Sequence, residues 1–175
     1  MLAAMDRIDA DGTERPLRVQ FIHGLEGSPQ GAKARLLAEH FDALTPSMDT
    51  SDFAASVATQ AEAARRFAPD VLVGSSFGGA VAVALLAQGV WRGPTLLLAQ
   101  AAVHYDPSVR LPQDVTIWLV HGTNDTLLDV EDSRRLAATG SPERVRLIEV
   151  EDDHPLHASV ARGDLIEWVR ALGEA

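Results

Sequence analysis

The sequence predicts a three-layer α/β/α sandwich, a mostly parallel sheet of about six strands with helices on both faces. Three observations predict it. Short apolar runs alternate with stretches of helical period along almost the whole chain, an order that builds strand-helix-strand units and sets their strands parallel. The runs Val71-Leu72-Val73, Thr95 to Gln100 and Val115 to Val120 are almost continuously apolar, as in strands buried on two faces. The 175 residues make one domain of ordinary size, able to bury a core without covalent staples, and there is no cysteine to form them.

Met1 to Arg15 is polar, acidic and without period, and reads as a flexible N-terminal leader; Pro16 opens a single domain over residues 16–175. Leu17 to His23 passes from alternating to apolar and is the first strand. The loop Gly24 to Pro29 feeds a helix from about Gln30 to Phe41, with Leu36, Leu37, His40 and Phe41 as its inner stripe. A short strand follows near Asp42 to Pro46. Ser51 or Asp52 is placed to cap the next helix, which runs to about Phe67 before Pro69 stops it.

Val71 to Val73 is the third strand, Phe77 to Gln88 a helix, Gly89 to Pro94 a turn and Thr95 to Gln100 the fourth strand. Ala101 to Asp114 has no helical period and contains Pro107 and Pro112, so an irregular loop over the sheet's edge is expected. Val115 to Val120 is a fifth strand and Asp129 to Ala138 its return helix. Arg144 to Val150 alternates cleanly, which suits a sixth strand nearer the edge. The last helix, about Gly163 to Leu172, carries Leu165, Ile166, Trp168, Val169 and Leu172 at helical spacing and reads as core packing.

Chemistry in such a fold gathers at the C-terminal ends of strands, which here hold His23-Gly24, Ser76, His121-Gly122 with Asp125, and Asp153-His154. Gly74-Ser75-Ser76-Phe77-Gly78 is a GxSxG match between an apolar run and a buried helix. A serine at the tip of so sharp a turn is strained, and glycines two residues to either side let the chain approach itself. Ser76 is therefore the candidate nucleophile. A serine hydroxyl needs a base in contact and a carboxylate to orient that base. Asp125, just past the fifth strand, is the candidate acid; Asp129 competes but is also placed to cap a helix. His154 is the candidate base, with His157 the alternative; the acidic residues beside His154 would favour its charged form, and burial would oppose it. Backbone N–H groups of Phe77 and Leu25 are the candidate oxyanion donors, and His23 is expected to fix the Leu25 loop.

With these residues in this order, the chain resembles an α/β-hydrolase of minimal size. The matches, His23-Gly24, the Ser76 elbow, His121-Gly122-Thr123-Asn124-Asp125 and Asp153-His154, span the chain from Leu17 to its end. Phe21 to Pro29 followed by Ala32-Lys33-Ala34, together with Gly74 to Gly79, is similar to the small lidless YqiA-like bacterial esterases. The sequence departs from that group in Leu25-Glu26-Gly27, where FNS is usual, and in having two histidines near its end. The resemblance implies a serine esterase or thioesterase working through a Ser-His-Asp triad without metal or cofactor. Only Ala101 to Asp114 is available as cover, which implies an open site and a small or soluble acyl ester or thioester. Acyltransfer or cleavage of a small amide or peptide by the same triad, and a non-catalytic binding protein on the same fold, are the alternatives.

Composition narrows the partners. A formal charge of -10 disfavours nucleic acid and anionic membrane surfaces, and no apolar run approaches a bilayer-spanning length. Without a signal-peptide pattern at the N-terminus, the cytoplasm is the default expectation. The absence of cysteine excludes disulfides, thiolate metal sites and a cysteine nucleophile. The group His104-Tyr105-Asp106 is expected either to line an acyl pocket or to cap a loop.

Overall fold

Six strands form one sheet in the order β2-β1-β3-β4-β5-β6 in a computed structural model that describes residues 7, 8 and 12–175. The strands are β1 (Arg18–Ile22), β2 (Asp42–Leu44), β3 (Val71–Ser75), β4 (Thr95–Leu98), β5 (Ile117–Gly122) and β6 (Val145–Val150). Every neighbouring pair is parallel, from Arg18 beside Asp42 at one edge to Gly122 beside Val150 at the other. Strand order reverses at β1, whose neighbours are β2 on one side and β3 on the other. A crevice opens outside the carboxyl ends of two strands where their connections diverge in this way, here β1 and β3.

Alternation along each strand divides the interior into two layers. Leu72, Leu97, Ile117 and Leu119 face one side, packed on α2 (Phe53–Phe67), α3 (Phe77–Ala87) and α5 (Val130–Ala137). Val71, Val73, Leu96, Leu98 and Val120 face the other, against α1 (Ala32–His40) and α7 (Asp164–Gly173). Each fully buried leucine contributes about 2 kcal/mol through loss of its apolar surface from water. Helix α3 is apolar nearly all round because it lies among the sheet, α2 and the short α4 (Ala102–Tyr105). Asp52 caps α2 by accepting the Ala55 N–H at 2.9 Å, and Ala68 ends it at φ 49° just before Pro69.

Several boundaries differ from the sequence expectation. Helix α1 begins at Ala32 rather than Gln30 and buries Ala34 and Leu37, while His40 is exposed. The expected loop 101–114 contains α4, a single turn too short to display a hydrophobic period. A further short helix, α6 (His157–Arg162), lies between β6 and α7. The expected leader falls in part outside the described residues; of it, Ile8 bridges Glu14 and Arg15 forms a paired hydrogen bond with Asp70 at 2.7 and 2.8 Å.

Candidate active site

The backbone creates the site first. Ser76 follows β3 directly at φ 55°, ψ −115°, a left-handed conformation that costs a non-glycine residue about 1–3 kcal/mol. Its surroundings hold it there. The Ser76 N–H donates to the Leu98 carbonyl at 2.9 Å, and its own carbonyl accepts from Ala80 and Ala101. A Cβ on Gly74 would sit 2.5 Å from the Gly78 carbonyl oxygen, and one on Gly78 would run into the backbone of Ile22 and His23. The two glycines are required by this close approach of β3, α3 and β1.

Three sequence-selected side chains meet at the elbow. His154 Nε2 lies 3.0 Å from Ser76 Oγ, and His154 Nδ1 lies 2.7 Å from Asp125 Oδ2. Asp125 has a fully buried side chain, and that of His154 is 16% exposed. Burial pushes the Asp125 carboxyl up, but the N–H of Leu128, the His154 imidazole and the N–H of Leu127 outweigh it and hold the group below the usual carboxylate range. Since Asp125 is an acceptor only, the His154 proton resides on Nδ1 and Nε2 is free to accept one from Ser76.

Sequence reading missed what stands behind Asp125. The fully buried His121 places Nε2 3.1 Å from Asp125 Oδ2 and 3.1 Å from the Leu128 carbonyl, both acceptors, so this nitrogen carries the proton. His121 Nδ1 is 2.7 Å from Ser133 Oγ, which in turn accepts from Gln100 Nε2 at 3.1 Å. Ser133 therefore donates its hydroxyl hydrogen to His121, and the polarity of the row is fixed from Gln100 to Asp125. The signal was a histidine placed inside an otherwise apolar strand. Asp129, the rival acid, accepts the Glu131 N–H and caps α5.

The acidic residues beside His154 take other partners. Asp152 accepts the N–H groups of Asp153, Ala158 and Ser159, the last at 2.8 Å, and so ties the His154 loop to the first turn of α6. Asp153 pairs with His157 Nδ1 at 2.6 Å, which leaves His157 on the exposed side of that turn. Leu156, at φ 59° and 1% exposed, anchors the same loop in the α7-side core.

A cavity of about 350 Å³ opens over Ser76 and His154, with Leu25, Glu26, Lys33 and Leu127 on its walls. The Leu25 and Phe77 N–H groups have no acceptor among the described residues. His23 Nδ1 is 2.8 Å from the Gly24 carbonyl and fixes the first-strand loop, as expected of it. Tyr105 stacks on Phe53 at 4.5 Å and meets Phe77 edge-on at 5.5 Å, while His104 contacts Asp132 and Asp106 closes a turn on Ser108. Among the described residues no cluster of His, Asp and Glu is arranged to hold a metal ion, and no helix is long and apolar enough to cross a membrane.

No family model and no curated protein matches the chain in sequence. Solved structures do match. A Xanthomonas campestris protein assigned to the alpha/beta hydrolase superfamily shares 25% identity over 91% of this chain and 96% of its own, with a TM-score of 0.70. A CIB-like hydrolase predicted in Thermoplasma acidophilum is 16% identical, with 96% of both chains covered and a TM-score of 0.71. An esterase from Pyrococcus furiosus is 14% identical over 91% of this chain and 82% of its own, at 0.64. The chain has the α/β-hydrolase fold.

Proposed function

We propose that this α/β-hydrolase fold works as a serine hydrolase, cleaving a carboxylic ester or thioester of a small or soluble acyl substrate through an acyl-enzyme on Ser76. The observation that carries the reading is the unbroken row from Ser76 Oγ to His154, at 3.0 Å, and from His154 to Asp125, at 2.7 Å, on a strained turn at the floor of an open cavity. Ser76 attacks the carbonyl carbon as His154 Nε2 takes its proton. The oxyanion draws on the Phe77 and Leu25 N–H groups, which have no acceptor of their own among the described residues. The intermediate collapses as His154 returns the proton to the departing alcohol or thiol. Water then repeats the sequence on the acyl-enzyme, releasing the acid and restoring Ser76. Asp125 keeps the His154 proton on Nδ1 and stabilises the imidazolium that forms.

The cavity over Ser76 is walled by exposed Leu25, Glu26 and Leu127 and has no lining residue from the 101–114 segment, which supports an open site and small or soluble substrates. Turnover of 4-nitrophenyl acetate and butyrate and of a short acyl thioester tests the proposal. Ser76→Ala is expected to lower kcat by about 10 000-fold or more, and activity is expected to show no jump at a substrate's micelle-forming concentration. Equal turnover by wild type and Ser76→Ala would remove the serine mechanism; a large jump on micelle formation would overturn the open-site reading.

A further inference from the structure

We propose that Lys33 anchors an anionic oxygen group of the substrate, so that the esters preferred by this site carry a carboxylate or similar anion on their acyl or leaving-group part. The inference rests on the serine-hydrolase reading and names the substrate class for it.

Lys33 is the chain's only lysine; every other strongly basic side chain is arginine. It lies half-buried in the first turn of α1, on the wall of the cavity that holds Ser76 and His154. A second cavity, of about 170 Å³, shares Lys33, Gly24, Gly27, Ser75 and Pro155 with the first, so the lysine stands where the two adjoin. Its ammonium has no hydrogen bond or ion pair with any described residue. Asp152 and Asp153 act on it only through space, and both are committed elsewhere, Asp152 to three backbone N–H groups and Asp153 to His157. Burial holds the ammonium below the usual lysine value against the pull of those two carboxylates.

An ammonium is a compact charge with three N–H donors, and partial removal from water without acceptors is unfavourable until a ligand supplies them. The walls facing it are apolar at Leu25 and Leu127, 57% and 67% exposed, with Glu26 on the exposed loop. Such a cleft fits an apolar body with one anionic end. The chain's charge of -10 repels anions at long range, so recognition has to be local, as a cation on the wall of the cavity that holds Ser76 makes it.

The test compares matched esters. For the acyl side these are the 4-nitrophenyl monoester of adipic acid and 4-nitrophenyl hexanoate; for the leaving group, 3-carboxyphenyl acetate and phenyl acetate. In wild type, kcat/KM is expected to favour the anionic member of one pair, which identifies the side. In Lys33→Met the anionic-to-neutral ratio is expected to fall about tenfold or more, and Lys33→Arg to restore part of it. A ratio unchanged in Lys33→Met overturns the proposal, including the case in which both esters slow equally and Lys33 acts on the oxyanion instead. Calorimetric binding to Ser76→Ala, with and without Lys33→Met, decides the matter without turnover, using monomethyl adipate if the acyl pair carries the preference and 3-carboxyphenyl acetate if the leaving-group pair does: loss of binding with Lys33 supports the anchor, and equal or absent binding of that probe overturns it. Failure here leaves turnover of neutral esters, and with it the serine mechanism, standing.

Discussion

Replacing Asp152 by alanine probes the joint that presents His154. The carboxylate is 6% exposed and accepts the N–H groups of Asp153, Ala158 and Ser159 at 2.9, 3.2 and 2.8 Å. Losing a helix-capping acceptor costs up to about 2 kcal/mol, and each buried donor left bare costs about 1–3 kcal/mol. Ser159 is fully buried and Asp153 is half-buried, so the sum for Asp152→Ala is about 3 kcal/mol, or a drop in Tm of about 6–12 °C for a domain of this size. Burial pushes the Asp152 carboxyl up, but the backbone and hydroxyl of Ser159 and the N–H groups of Asp153 and Ala158 outweigh it and hold the group at about 2. A carboxyl depressed in the folded state stabilises above its unfolded value and loses that contribution as pH falls through the folded one. Urea unfolding should therefore show a constant gap between wild type and variant from pH 7 to 5, closing as pH falls below about 4. His154 lies two residues along the same loop, so kcat/KM well below Tm should fall by about 10- to 100-fold. A variant within 1 kcal/mol of wild type at pH 7, or a gap that widens in acid, would refute this reasoning.

Other perturbations test the remaining supports. Gly78→Ala places a Cβ against the backbone of Ile22 and His23; stability should fall by about 3–5 kcal/mol in urea unfolding, and a loss below 1 kcal/mol would count against the elbow's packing. Ser133→Ala strips a partner from both His121 Nδ1 and Gln100 Nε2, for a loss of about 2–4 kcal/mol by the same assay. Asp125→Asn must direct its amide oxygen to the Leu127 and Leu128 N–H groups, which turns its NH₂ toward His154; with the wrong tautomer enforced, kcat for ester hydrolysis should fall by about 10 000-fold.

The sheet was legible because its strands are buried on both faces and carry apolar runs that need no partner to be recognised, as at Val71 to Val73 and Thr95 to Leu98. The alternation of β6 placed it at the edge it occupies. The short elements escaped, since one turn at Ala102 to Tyr105 or six residues from His157 cannot display a helical period. At the site, Ser76 was announced by the glycines its turn demands, and Asp125 and His154 by their places after strand ends. His121 and Ser133 were not legible as partners of Asp125, because their contact depends on how α5 docks beside β5 rather than on any local pattern. The part the acidic pair plays in holding the His154 loop was not legible for the same reason, since it depends on how that loop meets α6.

Reaction with a fluorophosphonate, read by intact-protein mass, tests the central claim most directly. Wild type should gain one adduct, His157→Ala should gain it as well, and Ser76→Ala and His154→Ala should not. An unlabelled but folded wild type, or an adduct that depends on His157 rather than His154, would contradict the account.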